Sequence, residues 1–530
     1  MRHTYSIRIL IFSLCSLCFL KTGAQVMMVK DIFSGADSSM VRFLVSSNGL
    51  AFFVANDGIA GDELWKSDGT LAGTAMVKDI NSGPVGSAPF GLTDINGTVY
   101  FRADDGVNGT ELWKSDGTSA GTAMVKDIAS GAAGSYPGGF IELNGFAYFS
   151  ADDGTTGGSQ MWKTDGTAAG TVLIKNLVFG NTVNVNDTLY MKGNGELWKS
   201  DGTTAGTVML KDINPSGNSN PFSFMTYNGE IFFCANDGTN GYELWKTDGT
   251  STGTVLLKDI NPGSAASNAS PVFTLSSGLL LTANDGANGT ELWITDGTAP
   301  GTLLLKDVNG GPGSASFGGP FTMIGPEVVF NADNGSNGSE LWKTDGTTAG
   351  TVMVMDINPG SMGSIGYPPS FVAINDTLYF AASDGVAGKE LWRTNGTAAG
   401  TVMVQDIDPS GTSAPASLKN VNGALFFSAN DGMTGRELWK LGDLATSVMT
   451  LKIEPVFSIC PNPASLRFRL SFENEIENAD VSVTDILGKE LRKVHFSGTS
   501  LVVEGLGKGV YFIRVTDGNK NSAVRKVIVE

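Results

Sequence analysis

All nine tryptophans of this chain stand at one place in one repeated phrase. They are Trp65, Trp113, Trp162, Trp198, Trp245, Trp293, Trp342, Trp392 and Trp439. The phrase reads E-L-W-K-[ST]-D-G-T-x-x-G-T in most copies, and successive tryptophans lie 48, 49, 36, 47, 48, 49, 50 and 47 residues apart. A fixed period of this length marks a repeat architecture, in which each unit buries its apolar face against its neighbours. The repeat overrides the about three or four separate domains that the length alone would suggest. The 70 glycines follow no G-X-Y period, which excludes a collagen, and they fall at turns.

One unit, Val41 to Ile80, reads as four short strands. Val41 to Asn48 ends at Asn48-Gly49, a hairpin signal. Leu50 to Ala55, L-A-F-F-V-A, is apolar on both faces and must be covered on both sides. A polar turn, Asn56-Asp57-Gly58-x-x-Gly61, leads to Glu63 to Lys66, which carries the tryptophan. A second turn, Asp68-Gly69-Thr70 with Gly73-Thr74, leads to Ala75 to Ile80. Phe232-Phe233 and Phe426-Phe427 repeat the two-sided strand; Asn96-Gly97, Asn144-Gly145, Asn228-Gly229 and Asn422-Gly423 repeat the first turn. Four strands per unit with both faces apolar predict an all-β fold of β-propeller type, with the tryptophans filling the spaces between blades.

The ends of the repeat region complement each other. Val26 to Ile32 reads V-M-M-V-K-D-I, a fourth strand with no E-L-W before it. The last E-L-W, Glu437 to Trp439, runs into Leu441-Gly442-Asp443 with no fourth strand after it. The N-terminal strand is therefore expected to complete a ninth blade and close the ring, removing the edges an open array would leave. Nine exceeds the usual range of about four to eight blades, and an open superhelical array is the alternative. The fourth unit is abbreviated between Leu177 and Glu196 and marks a point of asymmetry, with room for a gap in a rim.

On these residues the chain resembles the ELWxxDGT repeat proteins, secreted bacterial proteins named for the phrase, over residues 26–440. One copy is weakened, at Gln160-Met161-Trp162. The resemblance implies no defined catalytic activity. The strand order is also similar to that of WD-repeat and kelch propellers, a structural analogy alone.

After residues 25–443 the pattern stops. Residues 444–455 read as a linker. Leu466, Phe468, Leu470 and Phe472 then alternate with Arg467, Arg469 and Ser471, a half-buried strand. Val481 and Val483 begin another, and Gly509 to Val515 a third, which turns at Asp517-Gly518 into Ala523 to Val529. This predicts a small β-sandwich over residues 456–530. The module resembles the C-terminal sorting domain of type IX secretion substrates in Bacteroidota. The matching residues are Pro461-Asn462-Pro463, Leu487-Gly488-Lys489, Gly509-Val510-Tyr511 with its strand, and the basic K-V-I-V-E ending; Cys460 departs from the usual aromatic or aliphatic residue. The resemblance implies export across the outer membrane by the type IX machinery. It also implies removal of the tail, leaving the protein on surface lipopolysaccharide or released.

Residues 1–24 read as a signal peptide: Arg2, His3 and Arg8, an apolar run from Ile9 to Leu20, and Thr22-Gly23-Ala24 before Gln25. The run is too short to span a membrane comfortably, and no later stretch is long enough. The mature chain is therefore expected to be exported, soluble and monomeric. Cys15 and Cys18 leave with the signal, and no disulfide is expected between Cys234 and Cys460. Residues 25–455 hold 44 acidic and 22 basic residues, within a net charge of −18. Such a surface keeps an extracellular protein soluble and makes nucleic acid an unsuitable partner.

The chemistry is bounded mainly by what is missing. His3 lies in the signal and His495 in the C-terminal module, so the repeats hold no histidine. That removes Ser-His-Asp and Cys-His sites and histidine-held zinc or iron. Cys234 sits in an apolar strand, as a core residue would. Glu63, Glu111, Glu243 and their equivalents could pair as glycosidase carboxylates. A catalytic pair is normally unique, however, so repetition favours capping turn amides or pairing the nearby lysine. Asp57, Asp105, Asp237, Asp285, Asp384 and Asp431 are hard oxygen donors suited to calcium, but no complete calcium loop surrounds them. No catalytic or cofactor-binding residue is therefore assigned. The expectation is a non-catalytic surface module that binds a glycan or protein; a glycan-active hydrolase or lyase on the same scaffold is the alternative.

Overall fold

The computed structural model describes residues 25–155, 157–366, 369–442, 457–465, 467–486, 489–516 and 522–530. The expected signal peptide and linker, Gly488 and the Asp517-Gly518 turn lie outside them. The described residues divide into two compact units, 25–442 and 457–530. Both are all-β, and no helix in them is long and apolar enough to cross a membrane.

The first unit consists of four-stranded antiparallel sheets, one per tryptophan. The Trp65 sheet runs Arg42–Ser47, Leu50–Asn56, Asp62–Ser67, Ala75–Lys78, in spatial as in chain order. Asn48 and Gly49 make its first hairpin with φ of 48° and 79°. Positive φ at both central residues matches the twist of the flanking strands, which is why Asn-Gly recurs there. The abbreviated unit still forms a full sheet, Phe179–Val185, Thr188–Gly193, Glu196–Ser200 and Val208–Lys211, with a tight Asn194-Gly195 turn in place of the longer loop.

The paired phenylalanines explain how sheets stack. Strand residues alternate between faces, so Phe52 and Phe53 point opposite ways. Phe53 joins Trp65 against Leu438 and Phe426 of the Trp439 sheet. Phe52 and Leu64 pack on the other side against Phe101 and Trp113 of the next sheet. Each tryptophan thus faces the preceding sheet, and each E-L-W leucine the following one. The pattern repeats through Trp245, packed on Leu197, Leu210 and Ile213, to Trp439, packed on Leu391 and Ile407.

The sheet holding Trp439 takes its fourth strand from Gln25–Lys30, in register Val26↔Leu441 and Met28↔Trp439. Its first strand, Ala416–Val421, lies against Arg42–Ser47. This arrangement is consistent with a β-propeller.

The C-terminal unit is all-β, and a small β-sandwich is the expectation for it. Its strands, Phe457–Cys460, Arg467–Asp485, Glu490–Glu504, Gly509–Thr516 and Ser522–Val529, form one hydrogen-bonded sheet. The two strands expected around Phe468 and Val481 are a single 19-residue strand. Its first part pairs with Phe457–Cys460 and its last part with Gly509–Thr516. Phe468 and Leu470 from one part and Val481 and Val483 from the other enter a single core with Ile513, Val515 and Val527. Ala464 bridges Val529, bringing the sheet's two edges together.

Candidate functional site

The E-L-W glutamates are buried acceptors. Glu63 Oε1 accepts the N–H of Asn81 at 3.1 Å and of Ser87 at 2.9 Å, and Oε2 accepts the Ser87 hydroxyl at 2.6 Å. Glu243 does the same for Ile260 and Ser267, at 2.7 and 2.8 Å for the amides and 2.7 Å for the hydroxyl. Glu437 reaches across the chain ends to Ile32 N–H at 2.8 Å and Ser39 N–H at 3.0 Å. Each carboxylate therefore pins the loop that leaves one sheet and enters the next. Of the two roles open on sequence, capping is the one observed. The neighbouring lysine turns away: Lys66 Nζ donates to Gly117 O of the next sheet at 2.8 Å. The serine 23 or 24 residues after the glutamate is a partner the sequence reading missed, although it recurs in most of the loops.

Burial pushes the carboxyls of Glu63, Glu111, Glu243, Glu340 and Glu437 up, against the lowering effect of these hydrogen bonds. Glu291 is pushed up to about 7, again by burial first. Its serine is replaced by Ala315, so it has no hydroxyl donor, and Asp307 adds repulsion. A folded-state value above the ordinary 4.5 means that the folded form holds its proton more tightly. Stability from these groups is then fully present below about pH 4.5 and is lost as pH rises through the raised folded values, about 7 for Glu291. Turn aspartates such as Asp116 and Asp345, held low by their threonine hydroxyls, act oppositely and withdraw stability below about pH 3.8. Melting temperature is accordingly expected to rise from pH 8 to pH 5 and fall below pH 4. Ala315→Ser should raise stability at pH 8 by about 1.5–3 kcal/mol, as a hydrogen bond to a charged group does. Melts of both proteins from pH 3 to 8 check this; a flat profile refutes it.

The tryptophans are packing residues in every described sheet, with Trp198 the least buried. A fourth-strand lysine from the preceding sheet covers several of them. Lys30 Nζ lies 5.6 Å from the Trp65 ring and donates to Thr74 O at 2.9 Å. Lys258 does so over Trp293 and to Thr302 O. Trp245→Ala should cost about 3–5 kcal/mol, the usual range for removing a buried aromatic ring. A variant that kept its melting temperature yet lost ligand binding would make these residues a binding surface instead.

The six calcium candidates are dispersed, one per sheet, in the turn after the second strand. Asp105 Oδ1 accepts Val107 N–H at 2.9 Å and Asn108 N–H at 2.8 Å, and Oδ2 takes the Asn108 amide at 2.8 Å. Asp237 and Asp285 are used identically, and Asp57, Asp384 and Asp431 accept the same pair of turn amides. Burial alone would raise Asp105, Asp237, Asp285 and Asp431, but the turn amides hold them low. Among the described residues no three His, Cys, Asp or Glu side chains gather to hold a metal. The residues do not fit calcium, and the turns are complete without it. Cys234 is buried and its thiol is pushed up by burial, while Cys460 is exposed; both are free.

The abbreviated sheet borders a cavity of about 250 Å³ between its first strand and that of the Trp162 sheet. Phe140, Ile141 and Phe179 line it together with glycines, Ser150, Asn181 and Thr182, and none of its lining residues is an acid or a base.

In the C-terminal unit the two ends of the predicted motif meet. Asn462 accepts the N–H of Ile528 at 3.0 Å and donates to Lys526 O at 2.9 Å, so the Pro461-Asn462-Pro463 turn is docked on the last strand. Gly509 opens the strand that carries Tyr511, whose hydroxyl donates to Gly507 O at 2.8 Å. Beside the turn is a cavity of about 460 Å³ lined by Cys460, Pro461, Arg467 and Arg469 among others.

Residues 458–530 match the family described as a secretion system C-terminal sorting domain. An endo-acting ulvan lyase of Formosa agariphila is 36% identical over 75 residues, 14% of this chain and 14% of that protein. The chain thus matches only a small part of that curated relative. Among solved structures, PorZ, described as an essential surface component of the type-IX secretion system of Porphyromonas gingivalis, is 14% identical. The overlap covers 92% of this chain and 75% of that one with a TM-score of 0.34. A puromycin-hydrolyzing peptidase of Mycobacterium tuberculosis is 12% identical over 65% of this chain and 57% of its own, with a TM-score of 0.36. Overlaps this loose carry neither fold nor function. The sorting domain supports export by type IX secretion to the cell surface or the medium, and implies contact with that machinery.

Proposed function

We propose that this chain is a non-catalytic binding or adhesion module, displayed on the cell surface or released after its tail is removed. The observation that carries the reading is the use of the repeated carboxylates. The described E-L-W glutamates are consumed by amides of the loops between sheets, which leaves them unsuited to act on a substrate. The histidine-free repeats remove the commonest general base. The closing strand Gln25–Lys30 and the succession of inter-sheet cores favour a closed nine-bladed propeller of ELWxxDGT type. The shared core and the Ala464–Val529 bridge favour a two-layered C-terminal module.

A panel of soluble and insoluble glycans, scored for both binding and turnover, tests this function. Retention without product supports it. Release of shortened or unsaturated sugar overturns it in favour of a hydrolase or lyase.

A further inference from the structure

The residue before each E-L-W glutamate opens the third strand. In several sheets it is small and neutral, as in Thr110, Thr290 and Ser339. In the Trp392 and Trp439 sheets, which are adjacent, it is Lys389 and then Arg436. One peptide holds the two together: Ala414 donates its N–H to Lys389 O at 2.8 Å, and its carbonyl accepts Arg436 Nη2 at 2.9 Å. Arg436 Nη1 also reaches Ser428 O and Oγ, at 3.3 and 3.1 Å.

Among the described residues no carboxylate stands within ion-pair distance of either cation. Acids on the same strands and in the loop between the two sheets are engaged elsewhere. Glu390 accepts Ile407 and Ser413, Glu437 accepts Ile32 and Ser39, and Asp408 accepts Ser410 and Thr412. Lys389 Nζ lies over Gly366, 2.8 Å from where a Cβ would stand, and donates no hydrogen bond to a described residue. Both side chains are half-buried, and burial lowers both pKa values. Two like charges taken partly out of water without a counterion oppose folding, and an anion placed between them relieves that cost.

The Trp65 and Trp113 sheets carry a partly exposed aromatic pair. Ser39 N–H donates to Arg436 O at 3.1 Å and Ser38 Oγ accepts Arg436 N–H at 3.0 Å, which leads the chain into Arg42–Ser47. There Phe43 and Phe90, 38% and 45% exposed, pack edge to face at 4.8 Å. Arg42, itself paired with Asp62 at 2.6 Å, and Arg102 lie over these rings at 5.6 and 4.3 Å. Fixed cations beside partly exposed rings suit a sugar that carries an acid group. A long polyanion such as nucleic acid is repelled by the chain's net −18.

We propose that Lys389 and Arg436 form an anion subsite for the carboxylate of an acidic saccharide, with the Phe43–Phe90 strip taking its neighbouring rings. This names the ligand class of the binding module proposed above and rests on that reading. The test is calorimetric titration of the exported chain with trigalacturonate, with maltotriose as the neutral control and inorganic sulfate as the bare anion. Trigalacturonate should bind and maltotriose should not. Lys389→Met should raise Kd by about tenfold or more, the effect of one hydrogen bond to a charged group. Its melting temperature should not fall, because Nζ supports no described contact. Arg436→Lys should retain binding, and Phe90→Ala should weaken it several-fold.

Unchanged affinity in Lys389→Met, equal binding of maltotriose, or binding of sulfate alone overturns the acidic-saccharide subsite while leaving the binding module standing. Cleavage of trigalacturonate overturns the non-catalytic reading instead.

Discussion

A chain ending at Gly442 is expected to fold, to accumulate in the periplasm and to be missing from both the cell surface and the medium. The repeat unit needs nothing from the tail to complete its sheets, because the last one takes its fourth strand from Gln25–Lys30. The tail has a separate core built on Phe468, Leu470, Val481 and Ile513. What truncation removes is the sorting domain at 458–530. Fractionation with an antibody to the repeats, and circular dichroism of the trapped chain, read the two halves of this expectation. Normal export of the shortened chain refutes the assignment of the tail as an address. Mass spectrometry of the full-length gene's surface product should find it beginning at Gln25 and lacking the tail; an intact end at Glu530 contradicts the second point.

Glu243→Ala is expected to destabilise the repeat unit by about 3–6 kcal/mol. It strips the acceptor from two buried amides and one buried hydroxyl, at about 1–3 kcal/mol for each unsatisfied group. Glu243→Gln should cost less, about 1–3 kcal/mol, since one oxygen still accepts while the amide NH2 leaves one buried N–H without its acceptor. In the Trp162 sheet the position is Gln160, which takes other partners: its Oε1 accepts Asp153 N–H at 3.1 Å, and its Nε2 donates to Asp153 at 2.7 Å. Glu243→Gln should also flatten the dependence of stability on pH between 5 and 8, because the carboxyl that burial raises is gone. Chemical denaturation of the three proteins decides it. Equal stability of the alanine variant and the parent contradicts the capping role.

The sheets were legible because their signals are local and repeated. Two-sided phenylalanine pairs, Asn-Gly hairpins and the tryptophan period each constrain the backbone within a few residues. The loss of a strand at one end and the surplus at the other foretold the pairing of Val26 with Leu441. The Glu490–Glu504 strand was not foreseen, because Glu490, Arg492, Lys493 and His495 blur its alternation and most of it is exposed. Its pairing with the long central strand supplies the order that its own sequence lacks. The Lys389–Arg436 pair was also invisible. Those residues lie 47 positions apart and are unremarkable as single substitutions in a repeat; adjacency of the sheets makes them a pair.

The strand Gln25–Lys30 leaves the ribosome before any other part of the repeat body, yet its partner Arg436–Gly442 comes last. Throughout synthesis and transport, each growing intermediate therefore exposes one waiting strand at its start and one unfinished sheet at its end. Unpaired edges invite pairing with other chains and attack by proteases. Completion is thus a single late event. A molecule interrupted in any repeat stays recognisably unfinished, and in a finished one the first strand completes the last sheet in one step.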